Sequence, residues 1–270
     1  MPHGKHTTSS RWRKFKDGRH GSLRYSPSVR VSIVLPAFNE EKLIGATLQT
    51  VNTARIAFEA IGWESEVVVC DNNSTDRTGE IARAAGAKVV FEPVNQIARA
   101  RNAGAAAATG DWLIFVDADS QVNRDLFAEV AEVIRGGAHL AGGCIIRLDH
   151  APWWTAVFLH LWTLTSRVCR WAAGSFVFAE SEAFRAVGGF NQALYATEEI
   201  DLSQRLNRLA RRRQLQPMRI LTRHPLLTSG RKARLYTPWE HLRFMLRTAL
   251  SLGRSLNRRD ACPIWYDGRR

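Results

Sequence analysis

The run Trp112-Leu113-Ile114-Phe115-Val116-Asp117-Ala118-Asp119-Ser120 sets five apolar residues directly before two aspartates spaced one residue apart. A continuous apolar run of this length reads as a strand buried on both faces, as in a parallel sheet covered by helices. The carboxylates then stand at the carboxyl end of that strand, where open α/β sheets bind their ligands. Two hard oxygen donors at such an edge suit Mg²⁺ or Mn²⁺ carrying a substrate's phosphates. The same residues also suit a solvated turn that caps the next helix. This stretch by itself leaves both readings open.

The chain around it supplies a sheet. Val31-Ser32-Ile33-Val34-Leu35-Pro36 is a first strand, followed by helical spacing at Leu43, Ile44, Leu48, Val51 and Ile56. Glu66 to Cys70 is a second strand. It runs into Asp71-Asn72-Asn73-Ser74-Thr75-Asp76, a cluster of turn and cap residues. Lys88 to Phe91 is a third strand, and an alanine-rich helix from Ile97 to Ala108 precedes the aspartate strand, which is the fourth. Strands alternating with helices at short intervals predict parallel βαβ units in one α/β domain. No Gly-x-Gly-x-x-Gly and no P-loop sequence is present, which excludes the standard dinucleotide and ATP cradles. Beyond Asp119 the pattern predicts a helix at 123–134, a strand at 140–148, and an aromatic-rich stretch holding Trp153, Trp154, Trp162 and Trp171. A strand at 175–178 and a short helix at 180–187 come next. A polar helix from Glu198, strands between 218 and 228, and an amphipathic helix at 240–256 complete the chain.

Charge narrows the partners. The chain of 270 residues carries a formal charge of +13, which favours anionic ligands: phosphorylated substrates, an anionic membrane surface or nucleic acid. Eight Lys and Arg against one Asp in the first thirty residues predict a basic, disordered arm over 1–28. The four cysteines show no metal-ligand spacing, and a reduced, cytoplasmic setting is expected. No uncharged stretch reaches the roughly 18 to 20 apolar residues of a membrane span. Peripheral contact with an anionic membrane is compatible with the charge; no nucleic-acid motif appears, so no nucleic-acid partner is expected.

Acidic residues collect at predicted strand ends: Asp71, the Asp117–Asp119 pair, and Glu198, Glu199 and Asp201 further on. Concentrating acids at one edge is unfavourable unless something cationic occupies it. Pro36-Ala37-Phe38-Asn39-Glu40-Glu41, Asp71-Asn72-Asn73-Ser74-Thr75-Asp76, Arg101-Asn102-x-Gly104 and Asp117-Ala118-Asp119 stand in the order seen in glycosyltransferase family 2, and the chain resembles that family over roughly residues 30 to 235. Phe184 to Asn191 followed by Glu198-Glu199-Ile200-Asp201-Leu202 is similar to the family's acceptor-side segment.

The resemblance implies a GT-A fold: a mixed, mainly parallel sheet flanked by helices, in one catalytic domain at 29–235. An amphipathic helix and aromatic tail at 236–270 would follow it. It further implies a donor that is a UDP- or GDP-linked sugar, a hydroxyl acceptor, and Mg²⁺ or Mn²⁺. Pro36, Ala37, Asn39, Glu40, Asp71 and Asn73 would border the nucleoside, and Arg101 would approach the phosphates. Asp117 would contact ribose or metal, and Asp119 would bind the ion. The catalytic base falls at Glu199, where the family has aspartate, so Glu198 and Asp201 are also candidates. His224 is a candidate third metal ligand, and Arg231, in Thr228-Ser229-Gly230-Arg231-Lys232, a candidate diphosphate contact. No Gln-x-x-Arg-Trp motif of the processive members occurs, so a single, non-processive transfer is expected; a base on the acceptor side with no nucleophile near the donor makes it an in-line, inverting one. Two other readings stand beside this one: a nucleotidyltransferase making nucleotide-sugars, and a basic nucleic-acid-binding protein.

Overall fold

The computed structural model describes residues 28–251 and 254–266. The predicted basic arm, apart from residue 28, and the last four residues of the aromatic tail lie outside the described residues. The first half runs β1 (Arg30–Ala37), α1 (Ile44–Ala54), α2 (Ile56–Glu59), β2 (Glu64–Asp71), α3 (Thr78–Ala84), β3 (Lys88–Phe91), α4 (Ile97–Ala107) and β4 (Trp112–Val116). Then come β5 (Ser120–Gln121), α5 (Arg124–Gly136), β6 (Ala141–Asp149), α6 (Thr155–Cys169), β7 (Phe176–Glu180) and α7 (Ser181–Ala186). The chain continues through α8 (Glu198–Arg212), β8 (Arg219–Ser229), α9 (Arg231–Leu235), α10 (Pro238–Leu250) and, after two short 3-10 turns, α11 (Pro263–Tyr266).

Among the described residues the strands form one eight-stranded sheet in the order β3-β2-β1-β4-β7-β6-β8-β5. β3, β2, β1 and β4 are mutually parallel, and β7 runs antiparallel to both β4 and β6. The expected mixed, mainly parallel sheet is what forms. β4 is buried along its whole length, and β1 everywhere but its first residue. One face of the sheet packs on Ile44, Leu48 and Val51 of α1 and Leu126, Phe127 and Ile134 of α5. The other packs on Ala98 and Ala105 of α4 and Leu202 and Leu206 of α8. Local signals set the helix ends where they are strong: Asn123 accepts the Leu126 N–H at the start of α5, and Gly137 ends it in the left-handed region.

Close approach between layers depends on missing side chains. A Cβ on Gly142 of β6 would lie 2.2 Å from the Phe178 ring and 2.5 Å from the Arg219 carbonyl oxygen. The carbonyl belongs to a paired strand and cannot yield. Gly142→Ala is therefore expected to destabilise the fold by about 1–3 kcal/mol. The check is a lower denaturation midpoint at unchanged m-value.

Three features depart from the sequence expectation. β5 is only two residues long and pairs antiparallel with Leu227 and Thr228 of β8. α6 forms where the sequence offered only an aromatic-rich stretch. The late strands are a single β8, whose pairing with β6 jumps from Cys144↔Leu221 to Ile146↔Leu226. The extra residues, with His224 and Pro225 among them, bulge out of the ladder, where a proline without an N–H is tolerated.

Candidate active site

The parallel strands deliver their ends to one edge. Ala37 closes β1 opposite Asp71 of β2, and β4 ends one residue before Asp117. The loops after β1 and β2 are bonded into one wall. Ser74 Oγ accepts from the Asn39 N–H (3.0 Å), Asn39 Oδ1 from the Thr75 N–H (2.7 Å), and Thr78 Oγ1 from the Glu40 N–H (2.8 Å). Asn39 and Asn73 sit in the left-handed region at φ 51° and 67°, which asparagine tolerates best after glycine. Asp71 Oδ1 accepts the Ser74 N–H at 2.9 Å, and Oδ2 lies 2.8 Å from where a Cβ on Gly79 would stand. Pro36, Ala37, Asn39, Glu40, Asp71 and Asn73 thus share one edge.

The short β5 ladder explains how Arg231 joins them. Asp119 O accepts the Ser229 N–H at 3.2 Å, and Ser120 Oγ bonds Thr228 Oγ1 at 2.9 Å. Two residues further on, the Arg231 guanidinium pairs with Glu40 at 2.7 Å and Asp119 at 3.7 Å. Burial lowers its proton affinity, but bonding to Glu40 and the charge of Asp119 raise it by more. The backbone of this segment is not an open anion cradle: the Gly230 N–H donates to Asp149 Oδ1 at 2.6 Å and the Arg231 N–H to Ser229 Oγ. Lys232's side chain lies outside the described residues.

Arg101 holds a different place from the expected one. Its side chain is 1% exposed, with Nη1 2.6 Å from Glu198 Oε1 and Nη2 2.9 Å from Asp117 Oδ1 and 2.7 Å from the Gly174 carbonyl. Its guanidinium carbon stands 5.1 Å over the Phe190 ring. Burial works against its charge, but Asp117, Glu198 and Glu199 together hold the guanidinium protonated. A group so enclosed is committed to Asp117, Glu198 and the Gly174 carbonyl rather than open to a ligand. The rest of the Arg101-Asn102-x-Gly104 motif is equally structural. Asn102 grips the Phe190 backbone through both its N–H (2.9 Å) and its carbonyl (2.8 Å). Gly104 lets α4 approach β1, since a Cβ there would meet Val34 at 2.4 Å. The motif joins the Asp117 half of the site to the 188–199 half.

The three candidate bases separate by their partners. Glu198 is buried and bound to Arg101. Asp201 pairs with Arg205 at 2.6 Å. Among the described residues Glu199 alone of the three has no cation at ion-pair distance, and its carboxyl faces the space that Gly174 leaves, 3.4 Å from where a Cβ would stand. Desolvation and the neighbouring Glu198 push Glu199 up to about 8, against the pull of Arg101.

His224 is not brought to these groups. It lies in the β8 bulge five residues before Ser229, roughly 16 Å along a strand, and its neighbour Arg223 pairs with Glu129 and Glu132 of α5. Sequence reasoning missed the roles of the Gly174 carbonyl and of the Phe190 ring, whose only signals were a glycine just ahead of a strand and the Gly-Gly-Phe-Asn turn. It also left open whether Trp153, Trp154, Trp162 and Trp171 are core. They are not: Trp153 is exposed and the other three half-buried. The C-terminal segment does return to the domain. Leu256 O accepts the Tyr195 N–H at 2.8 Å, and Tyr266 packs on Tyr195 just before α8.

A curled α/β sheet whose parallel strands lead into Asp71, Asp117 and Asp119, joined through Arg101 to Glu198 at the start of α8, defines a GT-A fold. The sequence profile described as Glycosyl transferase family 2 matches residues 32–170, just over half of the chain. The chain belongs to glycosyltransferase family 2. An uncharacterised glycosyltransferase of Mycobacterium tuberculosis is 37% identical over 113 residues, 42% of this chain and 47% of its own. Glucosyl-3-phosphoglycerate synthase of Mycolicibacterium smegmatis is 38% identical over 97 residues, 33% of this chain and 30% of its own. The matches therefore span about half the length, or less, of these curated relatives. Among solved structures, the mannosyltransferase PcManGT from Pyrobaculum calidifontis, in complex with GDP-Man and Mn²⁺, superposes with a TM-score of 0.61 at 18% identity. That likeness covers 88% of this chain and 66% of that one. Mycobacterium tuberculosis glucosyl-3-phosphoglycerate synthase with Mn²⁺, UDP and phosphoglyceric acid gives 0.55 at 21% identity, covering 83% and 76%. At these identities the likeness is one of fold.

Proposed function

We propose that this chain is an inverting, metal-dependent, non-processive glycosyltransferase that moves one sugar from a UDP- or GDP-linked donor to an acceptor hydroxyl. The observation that carries this reading is the Arg101 bridge, a buried guanidinium that ties Asp117 of the donor edge to Glu198, beside Glu199. Pro36, Ala37, Asn39, Glu40, Asp71 and Asn73 border the nucleoside. Asp119 and Asp117 fit a divalent cation: both are hard donors, 16% and 25% exposed, and Asp119 already attracts the Arg231 guanidinium. Among the described residues no set of three His, Cys, Asp or Glu gathers into a cage. That suits Mg²⁺ or Mn²⁺ held by one or two carboxylates, with phosphate and water completing the shell. The ion, when bound, neutralises charge gathering on the departing nucleoside diphosphate.

Arg231, two residues past the β8 end and already in the cleft, turns to the diphosphate when the donor enters. Glu199, with no cation partner among the described residues, takes the proton of the acceptor hydroxyl as that oxygen attacks the anomeric carbon. Arg101 and Glu198 hold Glu199 in place; Asp201, tied to Arg205, is left to orient the helix start. Attack from the α8 side, with departure toward Asp117 and Asp119, displaces the leaving group from the opposite face and inverts the anomeric centre.

The test is a panel of UDP- and GDP-sugars with Mn²⁺, scored without acceptor by release of the nucleoside diphosphate. Slow release from one or a few donors is the expected result. No release from any donor, together with salt-sensitive binding of arbitrary oligonucleotides, would favour the nucleic-acid reading instead.

A further inference from the structure

A fifteen-residue helix in a folded domain ordinarily buries its apolar side. α6 does the reverse. Trp153, just ahead of it, and Val157, Leu161, Leu164 and Val168 are between 56 and 86% exposed. Their spacing of four, four, three and four residues puts them on one stripe. The helix docks by its opposite side, where Thr155 and Ser166 are buried and Trp162 half-buried. An uninterrupted exposed apolar face of this length marks a contact surface.

The charge around it identifies the contact. Between Asp149 and Glu180 the sequence holds no carboxylate, only Arg167, Arg170, His150 and His160. α10 is similar apart from Glu240 in its first turn: Trp239, Leu246 and Leu250 are exposed, and with Arg243 and Arg247 they line a groove of about 580 Å³. The two helices leave the domain from bonded neighbours, since the Gly230 N–H donates to Asp149 Oδ1 at 2.6 Å and Arg234 Nη1 to the His150 carbonyl at 2.8 Å. Among the described residues no helix is long and apolar enough to cross a membrane. Exposed aliphatic residues with tryptophan at the end and cations alongside are the pattern of a helix lying in the headgroup region of an anionic bilayer.

We infer that the exposed stripe of α6, supported by α10, docks this protein on the surface of an anionic lipid bilayer. The far end of α6 leads within five residues to Gly174, whose carbonyl holds Arg101. If the functional reading above is right, docking sets the acceptor side of the cleft at the membrane surface, but the docking itself does not depend on it.

The test is sedimentation of the full chain with vesicles of phosphatidylcholine alone and of phosphatidylcholine with phosphatidylglycerol. Co-sedimentation with the anionic vesicles only is expected. The double substitution Leu161→Asp, Leu164→Asp should lower the bound fraction at least ten-fold at unchanged melting temperature and unchanged nucleotide binding, since both side chains face solvent. Equal sedimentation of the variant would overturn the inference by assigning the binding to other basic segments. So would a wild-type dimer that the same substitutions convert to monomer, which would assign the stripe to a second copy. Loss of nucleotide binding in the wild type would sink the functional reading and leave this one standing.

Discussion

Arg101→Met is expected to lower stability by about 3–5 kcal/mol, because it leaves Glu198 charged and buried with no partner. In a domain of this size that corresponds to a fall in melting temperature of roughly 10 °C. The guanidinium is held at 2.6 Å by Glu198 and 2.9 Å by Asp117, and the loss therefore reaches both halves of the cleft. Arg99→Met, two residues away on the same helix, is the control. Arg99 is partly exposed and pairs with Glu92 at 3.0 Å, and an ion pair of that kind contributes about 1 kcal/mol or less. Calorimetric unfolding of the two variants side by side separates a buried organising cation from a surface one.

Glu199→Gln should lower kcat by about 10²–10⁴-fold, the usual contribution of a positioned base, with nucleotide binding retained. The wild-type pH profile gives an independent reading of the same residue. Only the ionised carboxylate accepts a proton, and burial beside Glu198 pushes Glu199 up to about 8. kcat/KM should therefore climb with pH and level off above about 8. The stability effect has the opposite direction. The folded value lies above the ordinary 4.5, so this group's contribution to the fold is fully present below about pH 4.5 and is lost as pH rises through about 8. The glutamine variant, which cannot ionise, should melt with a weaker pH dependence over that window.

Much of this arrangement was legible before any coordinates. Apolar runs such as Trp112 to Val116 can only be central strands, and residues at their ends inherit a common edge. That is why Asp71, Asp117 and Asp119 could be grouped from sequence. Side-chain partners across long separations were not legible. Arg101 reads from its motif as a phosphate contact, because nothing local announces that Glu198, 97 positions later, closes over it. Glu40 and Arg231, 191 positions apart, meet through β5, a two-residue strand too short to carry any periodicity. α6 escaped for a related reason: its apolar residues follow a helical period, but its flanking tryptophans and missing N-cap blurred where it begins. His224 illustrates the converse, since the family resemblance suggested a ligand while it lies in the β8 bulge beside Arg223, which pairs with Glu129 and Glu132 of α5.

In the function proposed for this chain, Asp117 and Asp119 hold the donor's diphosphate through a divalent ion while Glu199 does the proton chemistry from the other side. The most direct test is the thermal shift produced by UDP or GDP, with and without Mn²⁺, on the wild type and Asp119→Asn. The wild type should be stabilised by one of the two nucleotides only when Mn²⁺ is present, and Asp119→Asn should lose that shift. A nucleotide shift that needs no metal, or one that Asp119→Asn retains in full, would contradict the assignment.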